Sequence, residues 1–278
     1  MTVSPPLDLS ITVVSHGHRA ILERYFASIF DVPTTATFEV LLIDNTGSDD
    51  AAGWAGRAFP QVTTIRNERP RSFAANFNTG LRTLTRGRYV VTLNPDIRCL
   101  PGLFDEAVAF LDAHADVALI GPKLLNPDRT LQPSCRQFAT PTVTLVRGLR
   151  LDRLLRRTRL VRSYLMDDAN HDEVLDADWV TGALMIARRE ALDAVGGMDE
   201  RYEGAYAEDV DLCCRLWKAG WRVCYVPQAT AVHDHQREGV RKPWSRMARL
   251  QLINTFRAYQ KFGWKLTREG PGLAPSGR

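Results

Sequence analysis

The chain is poor in several features that would place it in a recognisable class at once. No strictly apolar run in the sequence exceeds about six residues, far short of the ~20 needed to cross a bilayer as a helix. The first ten residues, MTVSPPLDLS, lack a basic flank followed by an apolar core, so no secretory leader is expected. The five cysteines (Cys99, Cys135, Cys213, Cys214 and Cys224) are odd in number and lack paired metal-site spacing. They read as reduced thiols packed in a core, as in a cytoplasmic protein. There are no internal repeats and no low-complexity linker, so one continuous domain is expected. No Walker A loop or G-x-G-x-x-G follows the first strand-like run; SHGHR stands there instead. Ordinary NTPases and dinucleotide oxidoreductases therefore lose weight.

What the sequence does have is charge, unevenly placed. Of 278 residues, 36 are Lys or Arg and 32 are Asp or Glu, a formal net charge of +4. Residues 147–162 hold seven Arg against one Asp, and residues 237–268 hold nine Lys or Arg against one Glu. These segments contribute +6 and +8, so the remainder is an acidic body of −10. Such a body disfavours a nucleic-acid partner.

The first 120 residues alternate short apolar runs with helical spacing. Residues 9–14 (LSITVV), 40–43 (VLLI), 62–65, 89–93 (YVVTL) and 117–120 read as strands. Residues 19–30, 72–85 and 105–114 read as helices. This order predicts an α/β protein with a mostly parallel, Rossmann-like central sheet and helices on both faces. Ligands of such sheets bind beyond the carboxyl ends of the strands, which draws attention to residues 15–18, 44–48, 67–71 and 94–96. Further on, 141–165 reads as a basic, Leu-rich helical stretch and 179–187 as one buried strand containing a glycine. Residues 207–219 read as a helix, 221–226 as a strand stopped by Pro227, 230–233 as a short strand, and 244–262 as a terminal helix.

Three acidic features lie at these strand ends: Asp44, Asp96 in Asn94-Pro95-Asp96, and the Glu208-Asp209-Val210-Asp211 cluster. A carboxylate such as Asp96 can hold a divalent cation against a ligand phosphate, although Asn-Pro-Asp is also ordinary turn chemistry. Glu208 and Asp209 suit a general base beside a positioning carboxylate, and equally the acids that favour a helix N-terminus. Asp211 and Arg215 are spaced to pair. In His233-Asp234-His235 the two histidines share one side of a strand, as metal ligands or as a polar strand end. His16 and His18 have the same spacing in a loop.

In order along the chain stand ITVVSHGH, EVLLIDNTGSDD, the asparagine–glycine pair of SFAANFNTGL, and RYVVTLNPDI. LNPDRTLQPSCRQFATP, DWVTGALMIARREALDAVGGMDERY and EDVDLCCRLWKAGWRVCYVPQATAVHDH follow. From about Leu9 to His235 this resembles the family 2 glycosyltransferases, which have the GT-A fold. The NPD form and the Ser-x-Arg stretch around Arg136 look like rhamnosyltransferase-type members. The resemblance implies an inverting transfer of a sugar from a nucleotide-diphosphate donor to a hydroxyl of a glycan or lipid-linked acceptor in cell-surface polysaccharide synthesis. It points to dTDP-L-rhamnose, with a UDP-sugar as the other donor class. It also implies a GT-A domain over residues 1–236, with a nucleotide-binding half (about 8–121) and an acceptor half (about 122–236). A basic helix and tail over 237–278 would pack on that domain.

By the same resemblance Asp96 and His233 bind a divalent cation, Mg²⁺ or Mn²⁺. Ser15, His16, Asp44, Asn45, Asn78, Asn94 and Asp96 serve the nucleotide. Asp209 is the catalytic base, with Glu208 able to share its role. Trp179, Gly182, Ala183 and Arg136 line the donor-sugar and acceptor site. Three departures stand out. Asn94 replaces the family's first metal-side acid, Ser72-Phe73 replaces a glycine–aromatic pair, and 203–207 (EGAYA) replaces a bulkier aromatic stretch. The first favours a non-catalytic sugar-nucleotide-binding relative as the alternative, and Asp96, His233 and His235 allow a metal-dependent hydrolase. In the basic segments Leu and Val are interleaved with Arg, and Trp244, Phe256, Tyr259, Phe262 and Trp264 stand among the terminal cations. That pattern fits either packing on the body or peripheral attachment to an anionic membrane, at the inner face of the cell membrane. A homo-oligomer is compatible with the sequence.

Overall fold

The computed structural model describes residues 6–148, 151, 154–204, 207–235, 246–263 and 266–268. Trp264, the pair Ala205-Tyr206 and the whole run 236–245, Trp244 included, lie outside them.

The strands are β1 (Leu7–Ser15), β2 (Phe38–Asp44), β3 (Thr63–Arg66), β4 (Gly87–Leu93), β5 (Ile97–Cys99) and β6 (Val117–Leu125). They continue with β7 (Leu131–Gln132), β8 (Cys135–Arg136), β9 (Leu175–Asp176), β10 (Trp179–Val180), β11 (Leu184–Arg188) and β12 (Arg222–His233). The helices are α1 (Arg19–Tyr25), α2 (Ser28–Asp31), α3 (Ala51–Ala58), α4 (Phe73–Thr83) and α5 (Leu103–Ala113). After them come α6 (Pro141–Gly148), α7 (Arg159–Leu165), α8 (Arg189–Val195), α9 (Glu208–Lys218) and α10 (Arg246–Lys261).

One sheet runs in the order β3-β2-β1-β4-β11-β6-β12-β5, with β7 on β6 and β9 on β12. β3, β2, β1 and β4 are parallel, and β6 and β12 run the same way. β11 enters between β4 and β6 antiparallel to both, so one sheet joins the two halves of the sequence. β8 and β10 form a separate two-stranded ribbon. Alternate residues of β1 serve opposite faces. Leu9, Ile11 and Val13 pack with Leu22, Ala51, Ala55 and Leu103 from α1, α3 and α5, and with Phe26 just after α1. Phe77 of α4, Leu192 of α8 and Leu212 of α9 pack against Val90 and Met185 in a second core. The sheet is thus covered on both faces, as its apolar strands predict.

α4 sits close to β1 because Gly80 has no side chain. A Cβ there would lie 2.1 Å from Thr12 Oγ1. All five cysteines are buried and unpaired. Burial raises the Cys135 and Cys214 thiols to about 11 and those of Cys99 and Cys224 to about 12, which keeps them protonated and unreactive.

Four expectations need correction. Pro227 does not end a strand. β12 continues to His233 because the ladder to β6 slips between Val226 and Thr230, and the residues in that bulge need no ladder N–H. The stretch 141–165 is not one helix; α6 ends at Gly148 and α7 begins at Arg159. Residues 179–187 are two strands. Thr181 N–H bonds Ser134 O at 2.9 Å and Gly182 N–H turns to a side chain, so neither continues the strand. Residues 19–30 form two short helices, α1 and α2, rather than one.

Candidate active site

The strand ends place most of the expected residues together. Ser15 and Asp44 are in register at the ends of β1 and β2. Asn45 N–H donates to Ser15 O at 2.8 Å, and the Ser15 hydroxyl accepts from His18 N at 3.2 Å. Asp44 is fully buried. Its Oδ1 accepts from Gly47 N at 2.7 Å and Thr46 N at 3.3 Å, and its Oδ2 from Ala52 N at 3.4 Å. Arg66 Nε stands 3.8 Å from it. This carboxylate shapes the loop after β2 and faces the first turn of α3.

Asn45 is the hub of the same rim. Its Oδ1 accepts from Asn67 Nδ2 at 2.8 Å and Arg71 N at 2.9 Å. Its Nδ2 reaches Arg71 O and His16 Nδ1, both at 3.0 Å. Asn67 also donates to Asn76 Oδ1 at 2.8 Å. Asn76 on α4 therefore belongs to this network, whereas Asn78, the expected nucleotide-side asparagine, lies elsewhere. Its amide spans Met198, donating to the carbonyl at 2.8 Å and accepting from the N–H at 2.9 Å. It also donates to Glu200 at 3.0 Å. Asn78 staples α4 to the loop after α8, and Gly80 in the same motif serves packing.

Asn94 and Asp96 follow β4. Asn94 N–H donates to Ala183 O at 2.9 Å, and Asp234 N–H donates to Asp96 O at 2.9 Å. The chain thus brings Asp96 to the end of β12. One ligating atom from each of Asp96, His233 and His235 falls within 4.8 Å of the others. Gln132 orients the central imidazole. Its Nε2 donates to Asn126 Oδ1 at 2.9 Å and His233 O at 3.3 Å, leaving Oε1 on His233 Nδ1 at 2.6 Å. An amide oxygen only accepts, so this network places a proton on Nδ1, and in the metal-binding form of the ring Nε2 is a lone pair. Nε2 faces Asp96 Oδ1 at 3.3 Å, and both atoms are buried without a hydrogen bond. Two facing acceptors left so cost about 1–3 kcal/mol each. A cation between them would turn that cost into coordination, with oxygen and imidazole donors suited to Mg²⁺ or Mn²⁺. Imidazole ligands are commonly held at the other nitrogen in this way. Gln132 lies within LNPDRTLQPSCRQF, but its role depends on a contact 101 residues away.

Asp209 lies in the first turn of α9, preceded by Ala207 in the left-handed region at φ 74°. Its Oδ2 accepts from Gly182 N at 3.2 Å and its Oδ1 from Val210 N at 2.9 Å. Burial pushes its carboxyl above the ordinary aspartate value, outweighing these backbone bonds, as suits a base. A Cβ on Gly182 would sit 3.5 Å from the Phe73 ring and 3.8 Å from Asp209 Cβ. Gly182 therefore lies between the Phe73 ring and Asp209, with van der Waals room for a methyl. Asp96, Asn94, Ala183, Gly182 and Asp209 form one backbone-linked series across the β4–β11 junction. Glu208 is buried beside Asp209. Asp211, fully buried, pairs with Arg215 at 2.6 Å and accepts from Tyr202 at 3.0 Å. Trp179 pairs with Arg136 across the small ribbon, and its Nε1 donates to Gln137 O at 3.0 Å.

A family model described as glycosyltransferase-like family 2 matches residues 5–252. This chain belongs to that family. It is a glycosyltransferase with a GT-A fold. It is 29% identical over 253 residues to an N-acetylglucosaminyl-diphospho-decaprenol L-rhamnosyltransferase of Mycobacterium tuberculosis, covering 86% of this chain and 80% of that protein. Rhamnosyltransferase WbbL of Escherichia coli is 40% identical over 80 residues, 29% of this chain and 30% of that one. GalNAc-T7 with UDP, GalNAc and Mn²⁺ aligns at TM-score 0.67 and 17% identity, over 93% of this chain. This glycosyltransferase spans half of the GalNAc-T7 chain. A mannosyltransferase of Pyrobaculum calidifontis with GDP-Man and Mn²⁺ aligns at TM-score 0.59 and 18% identity, over 94% of this chain and 67% of that one. The two structural likenesses show the fold alone.

Proposed function

We propose that this glycosyltransferase moves L-rhamnose from dTDP-L-rhamnose to a hydroxyl of a lipid-linked diphospho-sugar, with inversion. The observation that carries the reading is the junction of β4 and β11, which joins the buried Asp96–His233 acceptor pair to Asp209 through Asn94, Ala183 and Gly182. The rhamnosyltransferase relative supports the donor and acceptor classes. Asp96, His233 and His235 would hold a divalent cation, which supplies positive charge to the diphosphate leaving group. Ser15, His16, Asp44 and Asn45 form the rim that takes the nucleotide. The Asp209 carboxylate accepts the proton of the acceptor hydroxyl. The oxygen then forms a bond to the anomeric carbon as the bond to the diphosphate oxygen breaks on the opposite face. The electron pair leaves with the nucleoside diphosphate.

An anionic membrane surface is the proposed meeting place. No helix among the described residues is long and apolar enough to cross a membrane. Among the described residues, six of the seven exposed large apolar side chains lie in or beside the two basic segments: Leu145, Leu151, Leu154 and Leu160 at one, Ile253 and Phe256 in the other. Leucines interleaved with arginines suit insertion beside anionic headgroups. Thr144 and Tyr259, 2.7 Å apart, hold α6 against α10.

The test is thermal stability with nucleoside diphosphates and their sugars, with and without Mn²⁺. The reading predicts the largest rise with dTDP-L-rhamnose plus metal, since a ligand at a hundred times its Kd stabilises by about 2.7 kcal/mol. No rise with any nucleotide would refute it.

A further inference from the structure

Two guanidinium groups, those of Arg136 and Arg147, form no close acidic pair among the described residues. Arg136, on β8, is half-buried and donates through Nη1 to Cys135 O at 2.7 Å. Arg147, near the end of α6, donates to the Tyr164 hydroxyl at 2.6 Å and lies over the Tyr164 ring. Neither forms an ion pair among the described residues, whereas the neighbouring Arg156 and Arg162 pair with Asp167 and Asp168. The two cations repel one another, and Arg147 is near enough to act on the Asp209 carboxylate. Tyr164 is buried and accepts from Arg147, which leaves its own proton to donate. A guanidinium presents five donors in a fork that matches phosphate oxygens. Asp167 and Asp209 act on these cations only from beyond ion-pair contact, so two such forks beside a phenol form a site that can take an anion.

We propose that Arg136, Arg147 and Tyr164 form an oxyanion subsite that holds a phosphate group of the acceptor. This deepens the reading of the acceptor as a lipid-linked diphospho-sugar and rests on it. The donor diphosphate belongs at Asp96 and His233, at the ends of β4 and β12. The arginines are carried by β8 and α6, neither of which carries a residue of that pair, and Arg147 acts on the Asp209 carboxylate. The exposed Leu145 is two residues from Arg147, and Leu151 and Leu154 follow. A base, two cations and exposed leucines are the three features that the sugar hydroxyl, diphosphate and lipid of such an acceptor would need.

The test is calorimetric titration of metal-free protein, held in EDTA, with farnesyl diphosphate, farnesol and dTDP, for wild type and the Arg136→Gln/Arg147→Gln pair. Farnesyl diphosphate should bind wild type more tightly than farnesol does, and the double variant should lose about tenfold or more of that affinity. Arg147→Lys, which keeps the charge, should recover part of it and guards against a folding defect. Equal farnesyl diphosphate affinity in wild type and a folded double variant overturns the proposal. A parallel loss of dTDP affinity also overturns it, because the arginines would then serve the donor. Transfer assays with dTDP-L-rhamnose and farnesyl-diphospho-N-acetylglucosamine separate the two readings. No transfer by wild type, together with arginine-dependent farnesyl diphosphate binding, would refute the rhamnosyl reading while upholding the subsite.

Discussion

Replacing Gln132 with Leu should weaken cation binding without touching a ligand. The native amide holds His233 Nδ1 at 2.6 Å and is itself fixed by Asn126 and the His233 carbonyl. Leucine removes the acceptor that keeps the proton on Nδ1. The ring is then free to place an N–H toward Asp96 Oδ1, where it would make a hydrogen bond and occupy the position a cation needs. Loss of a partner of this kind costs about 10–100-fold in metal affinity, or about 1.4–2.8 kcal/mol. Gln132→Glu keeps an acceptor on Nδ1 but loses the donor to Asn126 and the His233 carbonyl, so its affinity should fall between those of the Leu variant and wild type. The assay is Mn²⁺ titration followed by electron paramagnetic resonance, without donor, beside circular dichroism to confirm the fold. Unchanged Mn²⁺ affinity in a folded Gln132→Leu protein would refute the tautomer argument.

Other consequences follow from single contacts. Gly182→Ala should fold normally, because its methyl meets nothing nearer than 3.5 Å. That methyl would stand against Asp209 and the Phe73 ring, so kcat/KM should fall by about tenfold or more, as a misplacement near 1 Å can cost about a hundredfold; wild-type kinetics would remove Gly182 from the site. Lys261→Met breaks the 2.5 Å pair to buried Asp211 and the 2.8 Å pair to Asp199. With Arg215 and Tyr202 still on Asp211, the loss should be about 1–2 kcal/mol, seen as a lower Tm by calorimetry. Arg201 and then Lys261 hold the Asp199 carboxyl below its ordinary 3.8. That contribution is present above pH 3.8, so the Tm difference should shrink as acid protonates Asp199 below it. Liposomes containing anionic lipid should co-sediment the protein at low salt, and Leu154→Asp should reduce this; equal sedimentation with neutral lipid would refute the charge-assisted docking.

The sequence made the sheet legible where physical requirements are local. Apolar runs buried on both faces mark β1, β2 and β4, and the acids after them fall at the rim, as Asp44 and Asp96 do. It was misleading where a distant partner decides. Pro227 reads as a stop, yet β6 lets β12 bulge around it. The 179–187 run reads as one strand, yet the carboxylate 27 residues beyond Gly182 takes the N–H that a ladder would have used. Gln132, Asn67, Asn76, Arg147 and Tyr164 carry no local signature, since each acts through a partner brought by the fold. Asn78 illustrates the converse, a motif residue whose amide is wholly engaged by the loop after α8. The charge division was visible from the start. The structure adds that the apolar residues exposed beside those cations are concentrated in the same two segments.

The central claim is that Asp209 accepts the acceptor proton in a single inverting displacement. The most direct measurement is acceptor-dependent release of dTDP from dTDP-L-rhamnose by wild type and Asp209→Asn, across pH, with donor affinity measured in parallel. Wild type should release dTDP only with acceptor, with an acid limb above pH 3.8 because burial raises this carboxyl. Asp209→Asn should bind donor normally but turn over about 10²–10⁴-fold more slowly, without that limb. Wild-type turnover by Asp209→Asn, or release of dTDP into water alone, would contradict the account.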